Sequence, residues 1–300
     1  MIAGWRIAAP FGFELGEHPV WDDRTGTLWC VDVYGGAVVA MTGSAPPRRY
    51  ELGSVVGAIV LREEGGIAAL VDGLIAFFDN DMVADRAPIP VPMVDGVRFN
   101  DAACDPAGRL LFGTAALDGA TALAELRMLD RAGTTSPCLD GLVESNGLAW
   151  SLDGGTLYFV DSVEPVIRLY DYDANAGRIG TRRADLARMD LIPGTPDGLA
   201  VDAAGTIWVA LWQGGRLHRY APDGSLLEVV ATPTSQPTCC GFGGPSLNRM
   251  FLTSGWEGLD PVDHADEPHA GSLFVRHAAV PGRPVARLRL APAVQGSHYW

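Results

Sequence analysis

Short apolar runs alternate with polar, glycine-bearing turns along almost the whole chain. In WDDRTGTLWCVDV, beginning at Trp21, a turn containing Asp and Gly leads into an apolar run. The same order recurs in REEGGIAALVDG from Arg62, CDPAGRLLFGTA from Cys104, SLDGGTLYFVDS from Ser151 and VDAAGTIWVALW from Val201. GPSLNRMFLTSG, from Gly244, is a degenerate sixth copy. The copies recur about every 40 to 50 residues, the period of a four-stranded propeller blade.

Each copy has the same local logic. A strand precedes the turn, as in AIVL before REEGG, GLAW before SLDGG and GLAV before DAAG. Gly supplies the backbone angles of the tight turn. The strand after it is rich in Leu, Ile, Val, Phe and Trp, the composition of a strand buried on both faces. A third strand often follows, as in VIRLYDYD and GRLHRYAPDG. Helical periodicity is nearly absent; ATALAELRMLDR is the one candidate, and ELRMLDR fits a blade strand as well. Six such units predict an all-β fold, a six-bladed β-propeller that uses residues 1–300 as a single domain. An array of β-sandwiches is the competing architecture.

Composition narrows the function. A formal net charge of -14 argues against nucleic acid or an anionic membrane as the main partner. No run approaches a membrane span, and the N-terminal stretch lacks the form of a secretory signal, so a cytoplasmic location is expected. The five cysteines, Cys30, Cys104, Cys138, Cys239 and Cys240, match no zinc or disulfide spacing and are expected to be reduced, buried thiols. The adjacent pair Cys239-Cys240 reads as strand residues. The acidic surface suits a monomer or dimer.

In a propeller the innermost strands aim their leading ends at a central channel, so polar groups there converge from distant sequence positions. Glu17 precedes HPVW; Arg98, Asn100 and Asp101 precede AACD; Asn146 precedes GLAW; Asp197 precedes GLAV. Alone, Asn-Gly and Asp-Gly are ordinary turn formers, Glu17 an ordinary surface acid and Arg98 an ordinary ion-pair partner. The shared register in successive repeats points instead to one site, and two acids with an amide suit a hard or borderline divalent cation. His and Cys are too few there for structural zinc.

These segments resemble the gluconolactonase/senescence-marker-protein family, which includes regucalcin. GEHPVWD is similar to its G-E-G-P-x-W segment, and RFNDAACDPAGRLLFGT to its R-x-N-D-x-x-x-D-P-x-G-R segment. SNGLAWSLDGGTLYFVDS, PDGLAVDAAGTIWVALWQGGRLHRYAPDG and CCGFGGP match further segments, from about Gly16 to about Gly255. The resemblance implies a six-bladed propeller that hydrolyses sugar lactones with one divalent metal ion: calcium, zinc, magnesium, manganese or ferrous iron. It implies Glu17, Asn146 and Asp197 as metal ligands and Asp197 as catalytic acid/base. It implies Arg98 and Asn100 as lactone contacts, and Asp118 as a substrate-binding acid in the loop after the G-T strand.

Two departures stand out. The family usually has Gly where this chain has His18, a residue that could narrow the pocket, add a titratable group or simply occupy the turn. Asp118 is one methylene shorter than the Glu of some members. No Gly-x-Ser-x-Gly elbow is present, which disfavours a serine hydrolase. The alternatives are a non-catalytic, calcium-binding propeller and a related esterase with another substrate. The region after Trp256 reads as a loop before the last strand.

Overall fold

The computed structural model describes residues 4–292. It is nearly all β, with one short helix, Pro261–Asp266, and the expected six blades. Blade 1 consists of Gly16–Asp22, Thr27–Asp32, Ala37–Thr42 and Arg48–Glu51. The inner strands of the next four blades are Val56–Leu61, Val97–Cys104, Ser145–Trp150 and Thr195–Val201. In these blades the strands pair antiparallel in chain order; Ala187–Arg188 also pairs with the third strand of blade 4.

Blade 6 is different. Its inner three strands are Pro237–Gly243, Arg249–Ser254 and Leu273–His277, and its outer strand is Arg6–Ala9, from the other end of the chain. Arg6 faces Val275 and Ile7 faces Phe274 in that ladder. The ATALAELRMLDR segment supplies a strand, Ala124–Leu129, rather than a helix. Cys239 and Cys240 are strand residues, and all five cysteines are free.

The core is divided between blades. Six apolar clusters each join two neighbouring blades; Phe99 and Phe112 of blade 3, for example, pack on Phe77 and Leu70 of blade 2. This explains the second strands, such as Leu110–Ala116 and Ile67–Val71, which are buried on both faces. The recurring turn Asp is structural. Asp105 and Asp202, fully buried, accept backbone N–H bonds within their turns and pair with Arg109 and Arg219.

Inner strands begin on one face of the ring, here called upper, and end in these turns on the lower face. The lower face is crossed by a strap from Ala278 to Ala291. Gly282 N–H donates to Leu247 O, Ala203 N–H to Pro281 O, Leu288 N–H to Leu61 O and Arg289 N–H to Gly108 O. Arg287 Nη2 donates to Asp22 Oδ1 at 2.6 Å. The strap thus ties blades 6, 5, 2, 3 and 1 together across the lower face. No helix among the described residues is long and apolar enough to cross a membrane.

Candidate active site

All six inner strands share one irregularity. Between Glu17 and Val20, Val56 and Ile59, Phe99 and Ala102, Ser145 and Leu148, Pro196 and Leu199, and Pro237 and Cys240, the ladder shifts. Each inner strand spends three steps where its partner spends two, which defines a β-bulge. Bulges re-aim side chains and cluster beside functional sites. Here they turn Asn100, Asn146 and Asp197 out of the ladder at one level of the channel. Glu17 is offset by one: it is itself paired, with Val31, and the ladder equivalent of Asn146 is His18. Gly147 and Gly198 let the inner strands approach. A Cβ at Gly147 would lie 2.6 Å from Asp197 O, and one at Gly198 2.5 Å from Cys239 Sγ.

The structure brings Glu17, Asn146 and Asp197 together; Asn146 and Asp197 are buried and Glu17 is half-buried. Burial, reinforced by the Asp101 charge, pushes the Glu17 carboxyl up to about 8. Burial and then Glu17, Glu144 and Asp101 push Asp197 well above the usual carboxylate range. Asp197 Oδ1 is buried and has no hydrogen-bond partner. Asn146 is oriented by its neighbour: Ser162 Oγ donates to Pro196 O at 2.9 Å, so it accepts from Asn146 Nδ2 at 3.1 Å. Asn146 Oδ1 is left as a free amide acceptor.

Arg98 and Asn100 also converge here, on each other. Arg98 Nη1 donates to Asn100 Oδ1 at 2.5 Å and to Phe99 O at 3.0 Å. Asn100 Nδ2 donates to Ser145 O at 3.0 Å, bridging blades 3 and 4. Asp118 stands apart. It lies in the exposed loop between the second and third strands of blade 3, and its carboxylate accepts from Ala120 N–H, Thr121 N–H and Thr121 Oγ1. Those bonds, with Thr121 foremost, hold it down at about 2.

His18 adopts a left-handed backbone, φ 57°, at the position where the family usually has Gly. Its N–H donates to Glu17 Oε2 at 2.8 Å, and its Nδ1 lies 2.8 Å from Asp101 Oδ1. The turn and the pocket readings of His18 therefore both have a physical basis. The His18–Asp101 pair and Cys239 line the upper end of a cavity of about 170 Å³ that descends between Leu148, Trp150, Leu199 and Phe242 to the strap residues Arg283–Ala286.

Sequence reasoning missed Glu144 and Glu257. Glu144 Oε1 lies 3.7 Å from Arg98 Nη2. Burial raises Glu257, and Arg98, Glu144 and Glu14 all act on it. Glu144 adjoins Ser145-Asn146 and could have been found from that neighbourhood. Glu257 follows an irregular stretch with no repeat register to place it.

Among the described residues no three His, Cys, Asp or Glu side chains form a ligand set by themselves. Two acids and an amide nonetheless fit a divalent cation. Asp197 Oδ1 lacks a partner, Asn146 Oδ1 accepts no hydrogen bond, and burial with the neighbouring acids pushes both carboxyls above their usual range, a bias that a bound cation would oppose.

Fold and site together define a class: six-bladed propellers with a buried carboxylate–amide cluster at one end of the channel. The chain belongs to the SMP-30/Gluconolactonase/LRE-like region family, whose pattern matches residues 15–255. It is 31% identical over 263 residues to a Bacillus subtilis (strain 168) protein with the provisional name sugar lactone lactonase YvrE, covering 87% of this chain and 90% of that one. It is 32% identical over 276 residues to Homo sapiens regucalcin, covering 88% and 91%. A solved structure, the calcium-binding protein regucalcin from Agrobacterium tumefaciens, superposes with a TM-score of 0.88 at 26% identity, covering 97% of this chain and 98% of that one.

Proposed function

We propose that this protein hydrolyses sugar lactones with one divalent cation held by Glu17, Asn146 and Asp197. The observation that carries this reading is the buried, unpartnered Asp197 Oδ1 beside Glu17 and a free amide oxygen. Its family membership and its likeness to a protein named as a lactonase support the reaction class. Bound there, the cation would polarise the lactone carbonyl and lower the pKa of attacking water.

The side chains do the rest. Water attack on the carbonyl requires a proton to leave the water and another to reach the ring oxygen. Asp197 is the group placed to move it, since its position beside the reacting atoms matters more than its basicity. Arg98, fixed by Asn100 and Phe99 O, presents its guanidinium to the substrate hydroxyls and the developing oxyanion. Asn100 acts chiefly by fixing Arg98. Asp118 would reach a substrate by exchanging its loop hydrogen bonds for hydroxyl donors.

The test is lactone hydrolysis by chelator-treated protein resupplied with each divalent metal, over a panel of aldonolactones. Asp197→Ala should lower kcat by at least about a thousandfold while the circular dichroism spectrum is retained. Near-normal turnover in that variant removes Asp197 from the chemistry. Cation binding without hydrolysis of any panel member favours the calcium-binding reading instead.

A further inference from the structure

The surroundings of Arg98 bear on the charge a substrate can carry. Its guanidinium is already engaged: by Asn100 Oδ1, by Phe99 O, by Glu144, and by the Tyr34 ring, 5.4 Å beneath it. The positive charge it offers a substrate is therefore partly offset. Around it on the upper face stand three partly exposed acids, Glu14, Glu144 and Glu257. Trp256 N–H and Glu257 N–H both donate to Glu14 O at 3.0 Å, which sets Glu14 and Glu257 side by side. Glu144 Oε1 stands 3.7 Å from Arg98 Nη2. On the inner side of this rim Asp197, more than nine-tenths buried, keeps Oδ1 unpartnered. A divalent cation would offset Glu17 and Asp197, and the rim would still hold three acids against one arginine.

We infer that the Glu14–Glu144–Glu257 rim selects lactones by charge, admitting uncharged aldonolactones, disfavouring carboxylate-bearing ones and speeding release of the acid product. The inference rests on the proposed lactonase activity. Hydrolysis forms a bond from the water oxygen to the carbonyl carbon and breaks the carbonyl carbon's bond to the ring oxygen. The ring oxygen takes one proton, and the new acid releases the other at neutral pH. An uncharged substrate thus becomes an anion inside an acidic rim, where like charge drives it out. A carboxylate-bearing lactone meets that repulsion on entry.

The experiment compares kcat/KM for an uncharged aldonolactone and an aldarolactone of the same ring size with one added carboxylate, using cation-supplemented protein. At about 10 mM salt the uncharged lactone should be favoured by about tenfold, and the ratio should shrink by several fold at about 200 mM salt. The double variant Glu14→Gln, Glu257→Gln should shrink it at low salt and strengthen product inhibition by the aldonate. A ratio near one, or one that ignores both salt and the variant, overturns the inference while leaving lactonase activity intact. Should no lactone be hydrolysed, the lactonase reading falls separately. Calorimetric binding of an uncharged and a carboxylate-bearing sugar lactam then decides the charge preference: tighter binding of the uncharged lactam supports it, and equal or reversed affinity refutes it.

Discussion

The Glu17 carboxyl carries a measurable stability cost in cation-free protein. Below about pH 4.5 Glu17 is protonated in both folded and unfolded chains and costs nothing. As pH rises toward about 8, the unfolded chain has released this proton and the folded chain retains it. The folded state then binds more protons, so stability falls with pH, by about 1.4 kcal/mol per pH unit. Above about 8 the cost levels off, at about 5 kcal/mol on an order-of-magnitude reckoning. Asp197 acts in the same direction. Glu17→Gln, nearly isosteric, removes Glu17's part. Guanidinium unfolding of chelator-treated protein at about pH 5 and about pH 8 should therefore show a wild-type loss exceeding the variant's by roughly 4 kcal/mol. The corresponding difference in Tm shift is about 6 °C for a chain of this size. Saturating divalent cation should flatten the wild-type profile, because a ligand that binds the folded state stabilises it by mass action. Equal pH dependence in wild type and variant would refute the reasoning, since it would mean that Glu17 is solvated in the folded protein.

Two further predictions concern the scaffold. Arg287→Ala leaves Asp22 buried with bonds from Arg24 N–H and Thr25 Oγ1, and should cost about 2–3 kcal/mol, read as a Tm fall of about 4 °C; an unchanged Tm would show that the strap contributes no stability through this pair. At His18, Ala keeps the left-handed strain and loses the Asp101 bond, whereas Gly loses the bond and relieves the strain. His18→Gly should thus exceed His18→Ala in stability by about 1 kcal/mol in urea unfolding, and the reverse order would place the strain elsewhere.

The blades were legible because each repeats the same physical demand: a turn with Gly, an Asp that accepts its N–H groups, and a strand buried on both faces. The turns at Asp105 and Asp202 are cases where the sequence signal and the hydrogen bonds coincide. The cluster of Glu17, Asn146 and Asp197 was legible from register, although the one-residue offset of Glu17 was not, since a bulge changes pairing without changing composition. The strand Arg6–Ala9 was invisible because a short segment with no turn beside it signals nothing until its partner, Leu273–His277, is in place. The strap has no repeat, and its partners are turns scattered over five blades. The helix Pro261–Asp266, in a stretch that read as loop, has no buried residue and so no apolar period; its visible signal is the Asp260 cap followed by Pro261.

Blade 6, assembled from both ends of the chain, imposes an order of events on folding. Blades 1 to 5 each draw on a continuous stretch of chain and can form locally. The outer edge of blade 6 must wait until Arg6–Ala9 meets Leu273–His277, a contact of very long sequence separation, which is slow to find in an unstructured chain and quick once five blades have curled the ends together. Until that moment Leu273–His277 is a bare strand edge, open to the same segment of a neighbouring copy. Refolding yield should therefore depend on protein concentration more steeply than for a propeller closed within one blade, and the hazard lies in exchange of the terminal strand between molecules.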